Sequence, residues 1–375
     1  MNDIEFKIIK AIKSAPMATQ QELADTLNMS RESVAGYIMR LTRRGAILGK
    51  GYILPTQNNI LVIGGANVDL TGNSTQSFRP GDSNPGQVGQ SAGGVGRNIA
   101  ENLARLGNEV SIISIIGNDY RGRYLLEHAR EIGLGTEDVI QHPDFATSTY
   151  LAMNNEKGEL IGSIADMTII DQLTPSMLED KLSRIQAATT IVVEANLPKA
   201  TLSWLSEQRI NAPIVADAVS ATKAPRLIPL LPRIDVLKVN KAEALAILER
   251  EENDATPAET LLEELLQKGV KTVLLSLSEQ GVLYGEGDQK IHQTVPQCQM
   301  ISDTGAGDSL LAGYVHSQRL SEEKQQRLRF AIACAAATLE SKDAVSKTMT
   351  QTNVLKRFGD FINLNTETVQ SELEK

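Results

Sequence analysis

The run Ser302-Asp303-Thr304-Gly305-Ala306-Gly307-Asp308-Ser309 passes directly into the apolar stretch Leu310-Leu311-Ala312-Gly313-Tyr314-Val315. Small residues let the backbone N–H groups of Gly305, Ala306 and Gly307 converge at a helix N-terminus. Unsatisfied donors and the helix dipole there favour an anion such as a transferring phosphoryl group. Asp308, in the first turn, is then placed to accept a proton from an attacking hydroxyl. A carboxylate that merely favours the dipole of a glycine-rich cap would give the same run, so the run alone leaves both readings open. No GxxxxGKS or GxxxxGKT run occurs, which excludes a Walker-type phosphate loop.

Other polar residues follow apolar runs in a regular way. Gly64-Gly65-Ala66-Asn67-Val68-Asp69 follows ILVI, Glu194 follows TIVV, Asp217 follows PIVA, and Asn240 with Glu243 follows VLKV. Runs of this kind (ILVIGG, VSIISIIG, TIVVEA, PIVADA, VLKVN, TVLLSL) alternate with helical patterns, among them residues 96–107 and 121–132. Such alternation predicts an α/β fold, a doubly wound, mostly parallel sheet covered on both faces. Ligands in that architecture bind beyond the carboxyl ends of the strands, where these acids and amides cluster and can accept from a hydroxyl-rich ligand. Thr174-Pro175 and Thr256-Pro257-Ala258-Glu259 predict helix starts with Pro at the first helical position, the second with a capping box. Segments 70–82 and 145–165 are polar and short-stranded, which predicts a small β lid, and the polar tail after Asn365 should fray. Asp119, ahead of a helical pattern, is either a cap or a substrate-side group.

GAGD followed by a helix, GGVGRNIAENLARLG at 93–107 and GNDYRG at 117–122 together resemble the ribokinase-like, or PfkB-type, carbohydrate and nucleoside kinases over residues 58–362. The resemblance implies ATP and Mg²⁺ as partners in phosphoryl transfer, with Asp308 as catalytic base beside Gly305, Ala306 and Gly307. It implies that Asn67 and Asp69 bind substrate hydroxyls, that Gly93, Gly94 and Asn98 hold the sugar, and that Glu194 is a second acid near it. Asn240 and Glu243 match the family's NxxE motif, associated with Mg²⁺ and phosphate. Ser276, Ser278 and Gly281 match the loop around the adenine nucleotide. Many members read DTxGAGD, whereas Asp303-Thr304 here stand one position nearer the glycine. In some relatives that acid helps to hold a monovalent cation, so K⁺ dependence stays open.

Asp82-Ser83-Asn84-Pro85-Gly86, GGVGRN in place of the GGKGAN type, Ala165-Asp166-Met167, and Asp217-Ala218-Val219-Ser220 with Lys223 resemble pseudouridine kinases more than ribokinases or fructokinases. Val95, where sugar kinases often place Lys, removes a charged donor and suits an uncharged nucleoside. The expected reaction is phosphorylation of a nucleoside 5′-hydroxyl, pseudouridine first. Another nucleoside such as inosine, a free furanose such as ribose, and a regulator that only senses its ligand are the alternatives. Relatives that dimerise through the lid imply a homodimer.

The first 56 residues differ from the rest. They hold eight Lys or Arg against five acids, a net +3 in a chain of −9, which leaves an acidic body at −12. Ile4, Ile8, Ile9 and Ile12 at helical spacing predict a first helix ending before Pro16. Thr19 with Glu22 predicts a capped second helix burying Leu23, Ala24 and Leu27, and Ser30 caps a third burying Val34, Ile38 and Leu41. Gly45–Leu48 and Tyr52–Leu54 around Gly49-Lys50-Gly51 predict a two-stranded wing. Residues 1–56 therefore resemble bacterial winged helix-turn-helix regulators and imply binding of double-stranded DNA. Arg31, Ser33 and Arg40 lie on the recognition helix and Lys50 at the wing tip. Docking on a protein surface is the alternative role. A polar linker at residues 55–59 leads to the kinase-like domain at 58–365.

The remaining composition excludes other classes. At 41% hydrophobic and 22% charged residues the chain is neither disordered nor a disulfide scaffold. Cys298 and Cys334 lack metal-site spacing. No apolar run reaches the roughly 18 residues of a membrane span, and MNDIEFKIIK lacks the pattern of a signal peptide, so a cytoplasmic protein with no membrane partner is expected.

Overall fold

A computed structural model describes residues 3–15, 18–47 and 59–363. Lys50, most of the expected wing and linker, and the tail after Asn365 lie outside the described residues.

Helices α1 (Asp3–Ser14), α2 (Gln20–Leu27) and α3 (Arg31–Arg43) pack around Ile8, Ile12, Leu23, Ala24, Val34, Ile38 and Leu41. The caps are those the sequence predicts. Thr19 accepts from the Glu22 N–H while the Glu22 carboxylate accepts from the Thr19 N–H, and Ser30 accepts from the Ser33 N–H. Asn28, at φ 50°, makes the left-handed turn between α2 and α3. Ile4 is exposed, and Gly45–Ile47, expected to begin the wing, instead continue the turn that ends α3.

The second unit opens with β1 (Asn59–Ile63), β2 (Asn67–Ser74), β3 (Gly86–Gly93), α4 (Val95–Arg105), β4 (Glu109–Ile113), β5 (Ile115–Gly117), α5 (Tyr120–Glu131) and β6 (Ile140–His142). It continues through β7 (Thr149–Asn154), β8 (Leu160–Asp166), α6 (Pro175–Glu179), α7 (Leu182–Ala187), β9 (Thr190–Glu194), α8 (Lys199–Glu207) and β10 (Ile214–Asp217). After β11 (Ile234–Asn240) come α9 (Lys241–Ile247), α10 (Ala258–Gln267), β12 (Thr272–Ser276), β13 (Val282–Glu286) and β14 (Gln289–Gln293). The last helices are α11 (Ala306–Ser317), α12 (Lys324–Leu339) and α13 (Gln351–Ile362).

Eight strands form one sheet in the order β14-β13-β12-β11-β10-β9-β1-β4. All pairs from β4 to β12 are parallel, and β13 and β14 add an antiparallel edge. Period-2 burial builds two cores. Leu61, Ile63, Ile191, Val193, Leu237 and Val239 face one set of helices, while Ile60, Val62, Val192, Val215 and Val236 face α4, α11 and α12 on the other side. This is the doubly wound sheet expected from the alternating pattern.

A separate four-stranded sheet, β3-β2-β7-β8, forms the lid. Its first arm extends beyond the expected 70–82, because β3 pairs with β2 through Gly93. The β3 sequence GQVGQSAG is polar, glycine-rich and almost wholly exposed, so pairing with β2 fixes it and no hydrophobic period announces it. Thr174-Pro175 opens α6 as predicted, but the Thr256 capping box does not form. Asp254 captures both the N–H and the hydroxyl of Thr256, so α10 starts one residue later, with Pro257 at its cap.

Candidate active site

The parallel strands deliver their last residues to one edge. In the sheet register Asp217 lies beside Glu194 on one side and Lys238 on the other, and Asn240 lies beside Ser276. This row is the floor of the site, and the lid and α4 stand at its β1 end.

On that side the loop after β1 is held by Glu194, which is fully buried and accepts from the Gly65 N–H at 2.7 Å and the Asn196 N–H at 2.5 Å. Burial pushes its carboxyl up to about 7 despite those bonds. Glu194 therefore shapes the turn after β1, with both oxygens already engaged. Asn67 donates to Asp69 Oδ1 at 2.6 Å, and burial raises the Asp69 carboxyl above its usual range. Gly93 meets Asp69 so closely that a Cβ would fall 2.1 Å from Asp69 Oδ2, and at Gly94, φ 101°, a Cβ would meet Gly65 O at 2.7 Å. Two glycines thus let the root of the lid close on the β1 loop.

Asn98, one turn into α4, donates from Nδ2 to Asp308 Oδ2 at 2.9 Å and so joins α4 to the GAGD helix. Asp308 is 8% exposed, and burial, reinforced by Asp217, pushes its carboxyl up to about 7. Gly305 caps α11 at φ 80° with no side-chain hydrogen bond, and a Cβ there would fall 1.9 Å from Ala344 O. The start of α11 therefore carries no side-chain cap, and with the Ala306 N–H on Asp303 O at 3.3 Å it leaves the Gly305 and Gly307 N–H groups to an anion.

Lys238, which sequence reasoning did not single out, stands in the same cluster. Its Nζ lies 3.2 Å from Asp217 Oδ2, and a Cβ on Gly307 would fall 2.7 Å from that Nζ. Burial works against its charge, yet Asp217, Glu243 and Asp308 hold it well above the usual ammonium range. A fixed positive charge thus sits against the same turn that presents the open N–H groups. The signal was a lysine inside the apolar strand VLKVN.

Asn240 and Glu243 form a reciprocal capping box at the start of α9. Asn240 Oδ1 accepts from the Glu243 N–H at 2.9 Å, and Glu243 accepts from the Asn240 N–H at 2.8 Å and from Asn240 Nδ2 at 2.9 Å. Burial raises the Glu243 carboxyl. One strand further out, Ser276 donates to Val239 O at 3.3 Å. Ser278 (φ 52°) and Gly281 (φ 98°) then shape a tight turn after β12, closed by the Leu277 N–H on Gly281 O at 2.7 Å. Asp119 caps α5, accepting from the Gly122 N–H and from both the N–H and the hydroxyl of Thr147. In the N-terminal unit Arg31, Ser33 and Arg40 are exposed along α3, with the Arg40 guanidinium 4.3 Å over the Tyr37 ring.

Residues 57–351 match the pfkB family carbohydrate kinases and residues 1–47 match a winged helix-turn-helix DNA-binding family. An uncharacterized sugar kinase, YeiI, of Escherichia coli K12 is 34% identical over 95% of this chain and 98% of its own length. A pseudouridine kinase of the same organism is 32% identical over 79% of this chain and 95% of its own. The solved carbohydrate kinase from Agrobacterium tumefaciens superimposes with a TM-score of 0.73 at 32% identity, covering 81% of this chain and 97% of that one. These matches show that the chain belongs to the pfkB family of sugar and nucleoside kinases, with a winged helix-turn-helix unit at its N-terminus.

Proposed function

We propose that the protein transfers the γ-phosphoryl group of ATP to the 5′-hydroxyl of a nucleoside, pseudouridine first. The observation that carries the transfer step is Asp308, buried at the open start of α11 and hydrogen-bonded by Asn98 from the sugar-side helix. A carboxylate raised toward neutrality can take the proton of the attacking hydroxyl. The N–H groups of Gly305, Ala306 and Gly307 and the Lys238 ammonium stabilise the charge on the transferring group. Asn67, Asp69, Gly93, Gly94 and Asn98 bind and orient the ribosyl hydroxyls, with Glu194 holding their loop. Asn240, Ser276, Ser278 and Gly281 receive the nucleotide.

Among the described residues no three His, Cys, Asp or Glu side chains converge as a metal cage. Mg²⁺ binds kinases mainly through substrate phosphates and water with one or two carboxylates, and Glu243 with Asp217, two buried carboxylates that flank Lys238 at the same sheet edge, fit that need. Bound there, Mg²⁺ would neutralise phosphate charge.

The nucleoside reading draws on the 32% relative and on the turn after β10. Val219 adopts φ 65°, unusual for a β-branched residue, with its N–H on Asp217 Oδ1 at 2.8 Å. That turn brings Lys223 onto Asn196 Oδ1, two residues beyond Glu194. Asn and Lys together offer donors and an acceptor to the carbonyl and N–H edge of a base. The 34% relative, named a sugar kinase and spanning both units, favours a free furanose as the second reading. The assay is a panel of pseudouridine, uridine, inosine and ribose with ATP and Mg²⁺, scored by phosphorylated product. Phosphorylation of ribose alone would overturn the nucleoside reading, and no product from any acceptor would favour a ligand-sensing regulator.

Residues 1–56 would bind duplex DNA through Arg31, Ser33, Arg40 and Lys50, and the protein would act in the cytoplasm, where ATP is supplied. The lid supports a homodimer. Val88, Met153 and Ile164 lie on one face of its sheet by register and are 80%, 38% and 63% exposed.

A further inference from the structure

Arg97 is only 3% exposed although it carries a full charge. Its guanidinium is engaged on every side. Nε donates to Gly93 O at 2.9 Å, Nη2 to Ala92 O at 2.5 Å and to Asn98 Oδ1 at 2.9 Å, and Nη1 to Glu101 Oε2 at 2.5 Å. Glu101, also 3% exposed, is held on its other oxygen by Arg105 Nε at 2.8 Å. His128 from α5 stands 4.0 Å from Glu101, and the Arg97 charge also acts on Asp69 and Tyr124.

This arrangement decides which way the Asn98 amide points. The oxygen and nitrogen of an asparagine amide are nearly the same size, so only their partners choose between the two orientations. Arg97 offers donors alone and therefore fixes Oδ1 on its own side. The amide nitrogen must then face Asp308, an acceptor when ionised, at 2.9 Å. Reversed, the amide would set its oxygen against a carboxylate and its nitrogen against a guanidinium, two repulsive contacts at a buried site. The same guanidinium also grips the carbonyls of Ala92 and Gly93, where lid strand β3 enters the body and Gly93 closes on Asp69.

We propose that Arg97, anchored by Glu101, is a positioning residue: it orients the Asn98 amide toward Asp308 and fixes the Gly93 turn against Asp69. The inference rests on the reading of Asp308 as the base. An apolar side chain could fill the same volume, and the buried Arg–Glu pair is by itself weak evidence of stability.

The test is kinetic, with ATP and an acceptor that the panel shows to be phosphorylated. Arg97→Met should lower kcat by about 10- to 100-fold, the usual effect of a misplaced group. The acceptor KM should rise while the ATP KM stays within about twofold. Arg97→Lys, which keeps the charge but not the fork, should behave like Arg97→Met. Millimolar guanidinium should restore part of the turnover of Arg97→Ala, a rescue that a merely structural role does not give. In an Asp308→Asn background Arg97→Met should cost little further turnover, because both act on one proton transfer. Should Arg97→Met fail to fold, Glu101→Gln carries the test, with a smaller loss in the same pattern. Wild-type kcat in Arg97→Met, or an equal loss in the Asp308→Asn background, overturns the inference and leaves the base intact. If Asp308→Asn itself keeps more than about a third of wild-type turnover, the base reading falls, and the inference with it.

Discussion

As the proposed base, Asp308 would have to be ionised, yet its burial beside Asp217 favours the protonated form and pushes its carboxyl up to about 7. The acid limb of kcat/KM should therefore lie near neutrality, activity rising with pH through that range. Asp308→Asn should lower turnover by roughly 10² to 10⁴ and abolish the limb. A pH–rate profile of both proteins checks it, and a limb surviving in the variant would assign the titration to another group. Stability should move the opposite way. A carboxyl whose folded value is raised contributes stability below its unfolded value, and that stability is lost as pH rises toward about 7. Asp308→Asn should consequently melt a few degrees above wild type at pH 8, with a smaller difference in mild acid, read by thermal denaturation. Lys238 presents the converse case. Lys238→Met strands the Asp217 carboxylate, 1% exposed, without its partner 3.2 Å away, and should cost about 3 to 5 kcal/mol. Urea melts measure that cost, and addition of Asp217→Asn should recover part of it. If Lys238→Met were as stable as wild type, the Asp217–Lys238 pair would contribute nothing to the fold.

Among the elements, the glycine turns decide how near the two halves of the site can approach. Gly93→Ala drives a methyl into Asp69, so β2 and the root of β3 must separate. The acceptor KM should rise about tenfold or more while ATP binding, proposed at Asn240, Ser276, Ser278 and Gly281, barely changes. Calorimetric titration of each substrate separates the two, and an equal loss of both would show that the turn supports the whole site. The parallel strands were legible because each is a short apolar run buried on both faces, with a polar residue following it. α2 and α3 were legible from their caps. β3 was not, since GQVGQSAG owes its conformation to β2 and carries no period of its own. The start of α10 misled because local competition from Asp254 for Thr256 outweighed the capping box. For the site, GAGD and the residues that follow the strands were readable in the chain. Lys238 and Arg97 were not, because their meaning lies in partners brought together only by the fold. Gly307 is 69 residues from Lys238, and the Asn98 that Arg97 orients meets Asp308 across 210 residues.

For the whole molecule, two surfaces remain to be accounted for. The lid face carrying Val88, Met153 and Ile164 has no partner within the described chain, and a second copy would bury it. Val88→Asp with Ile164→Asp should shift the sedimentation of the protein from dimer to monomer, and a wild-type monomer at micromolar concentration would remove the lid as an interface. The N-terminal unit poses the larger question. It meets the body at Gly45, φ 69°, where a Cβ would fall 2.8 Å from Ser183 O, against α7 and away from every residue of the site. Its core of Ile8, Ile12, Leu23, Val34, Ile38 and Leu41 is its own. A chain starting near Asn58 should therefore fold and keep its kinase activity, since it retains Gly64 through Asp308 and loses only a neighbour of α7. Duplex affinity should leave with residues 1–56. Binding carried by phosphate contacts should weaken with salt, along a slope kept modest by a unit of net +3, and fall when Arg31, Arg40 or Lys50 is replaced by Ala. Kinase assays and gel shifts on the truncated and full chains decide between the roles. A truncated chain that folds but phosphorylates nothing the full chain accepts would make the helical unit part of the enzyme, acting through α7. A full chain with no salt-sensitive affinity for any duplex would make it a docking element, because a recognition helix that binds no phosphate cannot hold its register on DNA.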